Sequence, residues 1–164
     1  MVYLGFDPGK NGAMCILADE KISFRDFDLQ LYIHTIENIK NNTPQYLPMR
    51  ACIESVHAMP GQGVSSCFTF GQRLGELEGM LMTLGIPYEL VPPRNWQKAC
   101  GIQPKSDKKA IANVLSKLYP QASLYGTKGG LLDGRSDALG LAHYLRLKYK
   151  GNINESINNQ SSSR

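Results

Sequence analysis

Four acidic residues stand where their carboxylates could act together. Asp7 ends the apolar run "VYLGFD", Glu54 ends "MRACIE", and Asp133 and Asp137 lie four residues apart in "LLDGRSDALGLAHY". Carboxylates brought together repel one another unless a cation balances them, and oxygen-only ligands favour Mg²⁺ or Mn²⁺ over zinc. A cluster of this size can hold two ions about 3.5–4 Å apart, a pair that activates water and stabilises the departing oxygen in phosphodiester hydrolysis.

Each acid also has an ordinary interpretation when it is taken alone. An Asp before Pro-Gly, such as Asp7, is typical of a turn. Glu54 simply precedes a loop rich in Gly and Pro. Asp133 could cap the last helix or lie in its approach, and Asp137 could occupy an exposed first turn, where acids suit the helix dipole. Because all four fit one arrangement and one cation-dependent reaction, we predict that they form one site.

The elements that must position these acids can be predicted from apolar patterns and turn residues. Strands are predicted over 2–7, 13–19, 21–28, 49–54 and 87–91. Helices are predicted over about 31–40, 65–84, 95–99 and 136–148, and in the segment between a cap at Ser106 and a stop at Pro120. The first three strands form an antiparallel meander, and the later strand-helix-strand units imply parallel pairing. The predicted fold class is therefore α/β, with a mixed sheet and helices on both faces.

This topology predicts where the acids lie. If the strands that end at Asp7 and Glu54 are parallel neighbours, their carboxyl ends meet at one edge, where sites of α/β sheets usually lie. Asp133 and Asp137 are one helical turn apart and share a face. The last helix could therefore bring both to that edge.

Composition limits the class of protein. A chain of 164 residues, with 42% hydrophobic and 20% charged residues, suits one globular domain. We assign residues 1–149 to that domain and 150–164 to a polar tail typical of disorder. No apolar run approaches a membrane span of about 20 residues, and the N-terminus lacks a secretory pattern. We therefore expect a cytoplasm-like compartment, either the cytoplasm of a cell or the interior of an organelle.

The cysteines and the net charge add two weaker expectations. Cys15, Cys52, Cys67 and Cys100 are widely spaced and without a C-x-x-C pair, so we expect free thiols. The net charge is +4 and the sequence pI is about 8.9, which permits a polyanionic partner without requiring one.

Several segments resemble a known family. "GFDPGKNGA" with Asp7, "IESVHAMPGQGVSSCFTFGQRLGELEGML" with Glu54, "PYELVPPRNWQKA" and "DGRSDALGLAHY" are similar to the RuvC-like Holliday-junction resolvases, particularly the branch found in bacteriophages and plant organelles. The resemblance runs from about residue 2 to 148 in the family's order. It implies an RNase H-like fold with a five-stranded sheet, a homodimer, and nicking of two opposed strands at a four-way DNA junction that depends on Mg²⁺ or Mn²⁺.

The resemblance also assigns residues, by position. Asp7, Glu54 and Asp137 match the family's metal-binding catalytic acids, and Asp133 matches the acid that begins its last motif. The chain differs from relatives in two respects. Bacterial members usually space the last two acids by three residues rather than four, and relatives in the nearer branch often have His where this chain has Leu132.

Contacts with DNA are predicted around the acids. Residues 57–66 follow Glu54 directly, their glycines let backbone N–H groups approach phosphates, and a helix beginning near Ser65 would direct its positive end there. The ordinary alternatives are that residues 57–66 form a flexible connection and that the lysines form a solvated basic face. Arg135 and the lysines could equally serve charge balance, and Trp96 is expected in the core rather than under a base. The candidate DNA-binding residues are His57, Gln62, Ser65, Ser66, Lys105, Lys108, Lys109 and Arg135.

Three glycines recur in the long helix at four-residue spacing, namely Gly71, Gly75 and Gly79. Because each weakens the helix by roughly 1 kcal/mol relative to Ala, their alignment predicts that another backbone packs closely there. A neighbouring element of the same subunit is favoured slightly over a dimer partner.

Three alternative functions remain open at this point. The first is an RNase H-like nuclease that acts on another branched DNA or on RNA. The second is a phosphotransferase of the actin and sugar-kinase type, suggested by "GFDPG" but requiring two such domains. The third is a protein that binds junctions without cutting them, in which the acids are structural.

Overall fold

A mixed five-stranded sheet lies at the centre of the computed structural model, which describes residues 1–42, 47–55 and 63–161, with side chains to residue 150. The strands are β1 (Val2–Asp7), β2 (Ala13–Ala18), β3 (Lys21–Asp26), β4 (Met49–Glu54) and β5 (Tyr88–Val91). Their order is β3-β2-β1-β4-β5. β1 and β3 each pair antiparallel with β2, whereas β1–β4 and β4–β5 are parallel. The predicted α/β class and mixed sheet are confirmed.

Helices cover both faces of the sheet. They are α1 (Leu29–Asn42), α2 (Val64–Thr83), α3 (Pro93–Ala99), α4 (Lys108–Leu118) and α5 (Asp133–Ser161). The apolar cluster on one face combines the sheet with α1 and α2, and that on the other combines it with α3, α4 and α5. β1 is buried along its whole length because it contributes to both clusters. Such two-sided burial is typical of a strand with a parallel neighbour.

Gly5 determines how closely α5 crosses β1. A Cβ atom at this position would lie 2.0 Å from the Ala138 carbonyl oxygen and 2.7 Å from the Ala142 nitrogen, so the two backbones are in direct contact. At the helix start, a Cβ on Gly134 would lie 2.0 Å from the Asn11 carbonyl oxygen in the β1–β2 turn. These two glycines therefore set the position of α5, and with it the position of its acids, against β1.

The predicted ends of α4 and α5 were wrong. Asp107, rather than Ser106, caps α4, since its side chain accepts a hydrogen bond from the Ala110 amide at 2.8 Å. α5 begins at Asp133 instead of residue 136 and continues past 148 to Ser161, into the segment assigned to a disordered tail. Helical hydrogen bonds do not require a packable face, and most residues of this segment disfavour a helix only weakly. The division of the chain at residue 150 stays a prediction.

The prediction that another element of the same subunit packs against the glycines of α2 was also wrong. A Cβ on Gly71, Gly75 or Gly79 would meet nothing within 4 Å, so no element of the described chain packs against them. All four cysteines are free, as expected. Among the described residues, no helix is both long enough and apolar enough to cross a membrane.

Candidate metal-binding active site

The four predicted acids converge at one edge of the sheet. Asp7 and Glu54 end the parallel neighbours β1 and β4, while Asp133 and Asp137 lie in the first turns of α5. Asp7 and Glu54 are each 8% exposed, Asp137 is 2% exposed, and Asp133 is half-buried. The charge of Asp7 helps to raise the pKa of Glu54 and of Asp137. The charge of Asp133 helps to raise the pKa of Asp7 and of Asp137. The structure therefore brings all four acids to the same edge of the sheet, while their role as metal ligands stays a prediction.

Burial and like charge raise the pKa of the three buried acids, Asp7, Glu54 and Asp137. Burial, together with the charges of Asp137 and Asp7, raises the pKa of Glu54 to about 7. Burial likewise raises the pKa of Asp137 to about 6, against the lowering effect of Lys108. The pKa of Asp7 is also raised, mainly by burial. A group that is costly to ionise inside the protein is one that a bound cation would stabilise.

Three hydrogen bonds hold the buried carboxylates in place. The Gly9 amide donates to Asp7 Oδ1 at 2.8 Å, which closes the turn after β1. The indole Nε1 of the fully buried Trp96 donates to Glu54 Oε1 at 3.0 Å. Lys108 Nζ forms an ion pair with Asp137 Oδ2. Each carboxylate is thus positioned by a donor from a different element or turn.

The oxygen chemistry of the cluster suits a hard divalent cation. Asp137 Oδ1 is buried and accepts no hydrogen bond from any described residue, and such an oxygen is strongly unfavourable unless it gains a partner. In the side-chain positions seen, however, no three His, Cys, Asp or Glu groups of the described chain are arranged to hold one ion. The residue types fit Mg²⁺ or Mn²⁺, but a side-chain rearrangement would have to accompany binding.

The predicted DNA-binding residues lie in several environments. Ser65 and Ser66 are exposed in the first turn of α2, and Lys105 and Lys109 are exposed near α4. The other two described candidates are Lys108 and Arg135, and each contacts a carboxylate. These contacts agree with the alternative that the two residues balance negative charge. His57 and Gln62 lie outside the described residues.

Arg135 pairs with an acid outside the cluster of four. Its guanidinium forms two hydrogen bonds with Asp26 at the end of β3, at 2.8 and 3.1 Å. Beside it is a cavity of about 390 Å³ whose lining includes Asp133, Lys10 and Arg73. An opening next to the candidate site is therefore bordered by cationic side chains.

Two residues at the site were not recognised from the sequence. Trp96 was expected in the core and is buried there, but its bond to Glu54 was missed, although a buried indole N–H usually has an acceptor. Arg73 donates to the backbone carbonyls of Gly9 and Lys10, the latter at 2.9 Å, and stacks on Phe27. Nothing in the local sequence around Arg73 indicates this long-range contact.

The raised pKa values predict how stability depends on pH when no metal is present. Because the folded chain holds protons on Glu54 and Asp137 more tightly than the unfolded chain, their contribution is greatest below about pH 4. It is lost as pH rises through about 6 and 7, the folded values. We expect the free energy of unfolding in EDTA to fall more steeply between about pH 4 and 7 for the wild type than for Glu54→Gln, by on the order of 1–3 kcal/mol. Urea unfolding at several pH values measures this, and parallel curves would contradict it.

The comparisons with known proteins concern the fold. No protein-family model matches the sequence, and no curated protein sequence matches it significantly. Thermus thermophilus RuvC in complex with a Holliday junction substrate aligns with a TM-score of 0.60 at 14% identity, over 92% of this chain and 94% of that one. Another Thermus thermophilus RuvC structure gives a TM-score of 0.56 at 17% identity, over 90% and 97% of the two chains. The chain therefore has the RNase H-like fold of the RuvC structures.

Proposed function

We propose that the protein is a Mg²⁺- or Mn²⁺-dependent endodeoxyribonuclease that resolves four-way DNA junctions by nicking two opposed strands as a homodimer. The observation that supports this most is the meeting of three buried acids and a half-buried fourth at the edge of β1 and β4. It is strengthened by likeness to a RuvC structure that contains a Holliday junction substrate. The sequence resemblance gave the same function independently of the fold comparison.

The acids would hold the ions and the surrounding groups would keep the acids in position. Asp7, Glu54, Asp133 and Asp137 supply the carboxylate oxygens, and Asp137 Oδ1 lacks another partner among the described residues. The Trp96 indole and the Gly9 amide each donate to one oxygen of Glu54 and Asp7, respectively. Two bound divalent cations would supply the activated water and the stabilisation of the departing oxygen.

The approach of DNA is favoured by the cationic groups around this edge. Lys105 and Lys109 are exposed and close in sequence to Lys108, which contacts Asp137, and Lys10 lines the cavity beside Asp133. Amines in such positions attract a phosphate backbone without reading its sequence. We propose that the predicted set of contacts, including His57 and Gln62, binds the junction strands around the scissile phosphate.

The outer face of α2 supports the homodimer. Val64, Phe68 and Met82 are 86%, 73% and 64% exposed. With about 100° per residue, they share one face with the three glycines, opposite the buried Leu77 and Leu81. A stripe of large apolar groups and open glycines allows two helix backbones to approach closely, and a two-fold axis pairs such a face with itself. We propose that two copies of α2 meet along it.

Gly75→Glu should separate the two copies. A Cβ at Gly75 meets nothing within its own chain, so the fold should tolerate the side chain, while two glutamates on the symmetric face would repel. We expect a dimer for the wild type, a monomer for this variant by light scattering, and loss of paired nicking. Asn113→Glu, which adds the same charge on exposed α4, is the matched control. A Gly75→Glu dimer of unchanged affinity would contradict this interface.

Cleavage of synthetic DNA substrates tests the function itself. We expect symmetric nicks in a four-way junction only when Mg²⁺ or Mn²⁺ is supplied. Flaps, linear duplex and RNA–DNA hybrid compete in the same reaction, and preferred cleavage of one of them would identify the alternative nuclease. Junction binding without cleavage under every metal condition would identify a non-cleaving binding protein instead.

A further inference from the structure

Lys108 contacts the most deeply buried acid of the site. Its Nζ forms an ion pair with Asp137 Oδ2, and the two side chains differ sharply in exposure, at 53% for Lys108 and 3% for Asp137. The charges of Glu54 and Asp7 also act on the Lys108 ammonium. A surface lysine of α4 thus reaches inward, where it is the one described cation in direct contact with the four acids.

This ammonium and a divalent cation would use the same carboxylate. Asp137 has two oxygens, of which Oδ2 is paired with Lys108 and Oδ1 is without a partner in the described chain. A second positive charge at the same carboxylate would be repelled by the first at a distance of a few Å, and little solvent screens a buried group. The ammonium and the metal ion should therefore compete.

We propose that Lys108 is a displaceable counter-ion, which neutralises Asp137 in the metal-free protein and leaves the carboxylate when a divalent cation binds. The exposed half of its side chain provides the path, because a lysine stem has several rotatable bonds and solvent already reaches it. The displaced ammonium stays next to the edge where the substrate phosphate would arrive. The inference rests on the proposed function, since it requires a metal site at these acids.

Lys108 acts through Asp137 rather than on the substrate, so it is a positioning residue, and the same helix offers a control. Lys109 is its neighbour in sequence, is exposed, and has no ion-pair partner among the described residues. Replacing either by Met keeps a long, flexible side chain and removes one charge. Only Lys108→Met should change the affinity for a cation that competes at Asp137.

The test measures Mn²⁺ binding to the full chain by calorimetry, without DNA. We expect Lys108→Met to bind Mn²⁺ roughly 10-fold more tightly than the wild type, and Lys109→Met to match the wild type. Equal or weaker binding by Lys108→Met would overturn this inference while leaving the metal site in place. Absence of Mn²⁺ binding to the wild type and to both variants would overturn the metal site, and this inference with it.

A second measurement needs no variant and so does not depend on the folding of Lys108→Met. Amine acetylation of the wild type, followed by mass spectrometry, reports how accessible each lysine is. We expect acetylation of Lys108 to increase several-fold when Mg²⁺ replaces EDTA, while acetylation of Lys109 stays constant. No difference between the two lysines would overturn the proposed displacement.

Discussion

Asp137→Asn should reduce junction cleavage by at least about 10³-fold while leaving junction binding within a few-fold of the wild type. Asparagine keeps the shape of the side chain but lacks the charge that a divalent cation needs. Asp137 is 2% exposed at the start of α5, so no solvent-borne group can easily replace it. Cleavage of a labelled four-way junction under single-turnover conditions measures the first quantity, and a gel-shift in Ca²⁺ or EDTA measures the second.

The variant should remain folded, which separates loss of chemistry from loss of structure. Burial already raises the pKa of Asp137, so a neutral side chain removes an unfavourable charge at pH 7, and the exposed half of Lys108 stays solvated. Asp107→Asn removes the same charge from an exposed position where asparagine caps a helix equally well, so it should cleave normally. Normal cleavage by Asp137→Asn would refute the assigned ligand set.

Gly5→Ala should destabilise the protein by about 3 kcal/mol or more. The added methyl group would lie 2.0 Å from the Ala138 carbonyl oxygen, which is a backbone atom and cannot rotate away as a side chain could. Relief requires α5 to move away from β1, which also moves Asp137 away from Asp7. We therefore expect both a lower urea midpoint and a loss of cleavage in the fraction that stays folded.

Gly130→Ala provides the matched control for this substitution. A Cβ at Gly130 meets nothing within 4 Å, and its backbone does not have a positive φ. The change in its free energy of unfolding should stay within about 0.5 kcal/mol. If Gly5→Ala unfolded at the same urea concentration as Gly130→Ala, the close contact between α5 and β1 would be refuted.

The sheet and the grouping of the acids could be predicted because both follow from local patterns. Asp7 and Glu54 each end an apolar run, and parallel neighbours place such ends together. The prediction that Asp133 and Asp137 share a helix face required only the helical repeat. The exact start of α5 was harder, since Asp133 is equally suited to a cap, an approach loop or a first turn.

The contacts that tune the site could not be predicted, because they join residues far apart in the chain. Lys108 reaches Asp137 across 29 positions, and Trp96 reaches Glu54 across 42. A lysine next to a helix start is usually a solvated one, so sequence alone leaves its partner open. The glycines show the same limit: Gly5 marks a backbone crossing and Gly75 an open surface, yet both are simply glycine in the sequence.

The bond between Trp96 and Glu54 gives the protein a built-in optical reporter. Trp96 is the only tryptophan in the chain, and its indole donates directly to a carboxylate of the candidate site. Because indole emission responds to nearby charge, the intrinsic fluorescence should register each proton or cation that Glu54 gains. The state of the site can therefore be followed in the unmodified protein, without DNA and without an added dye.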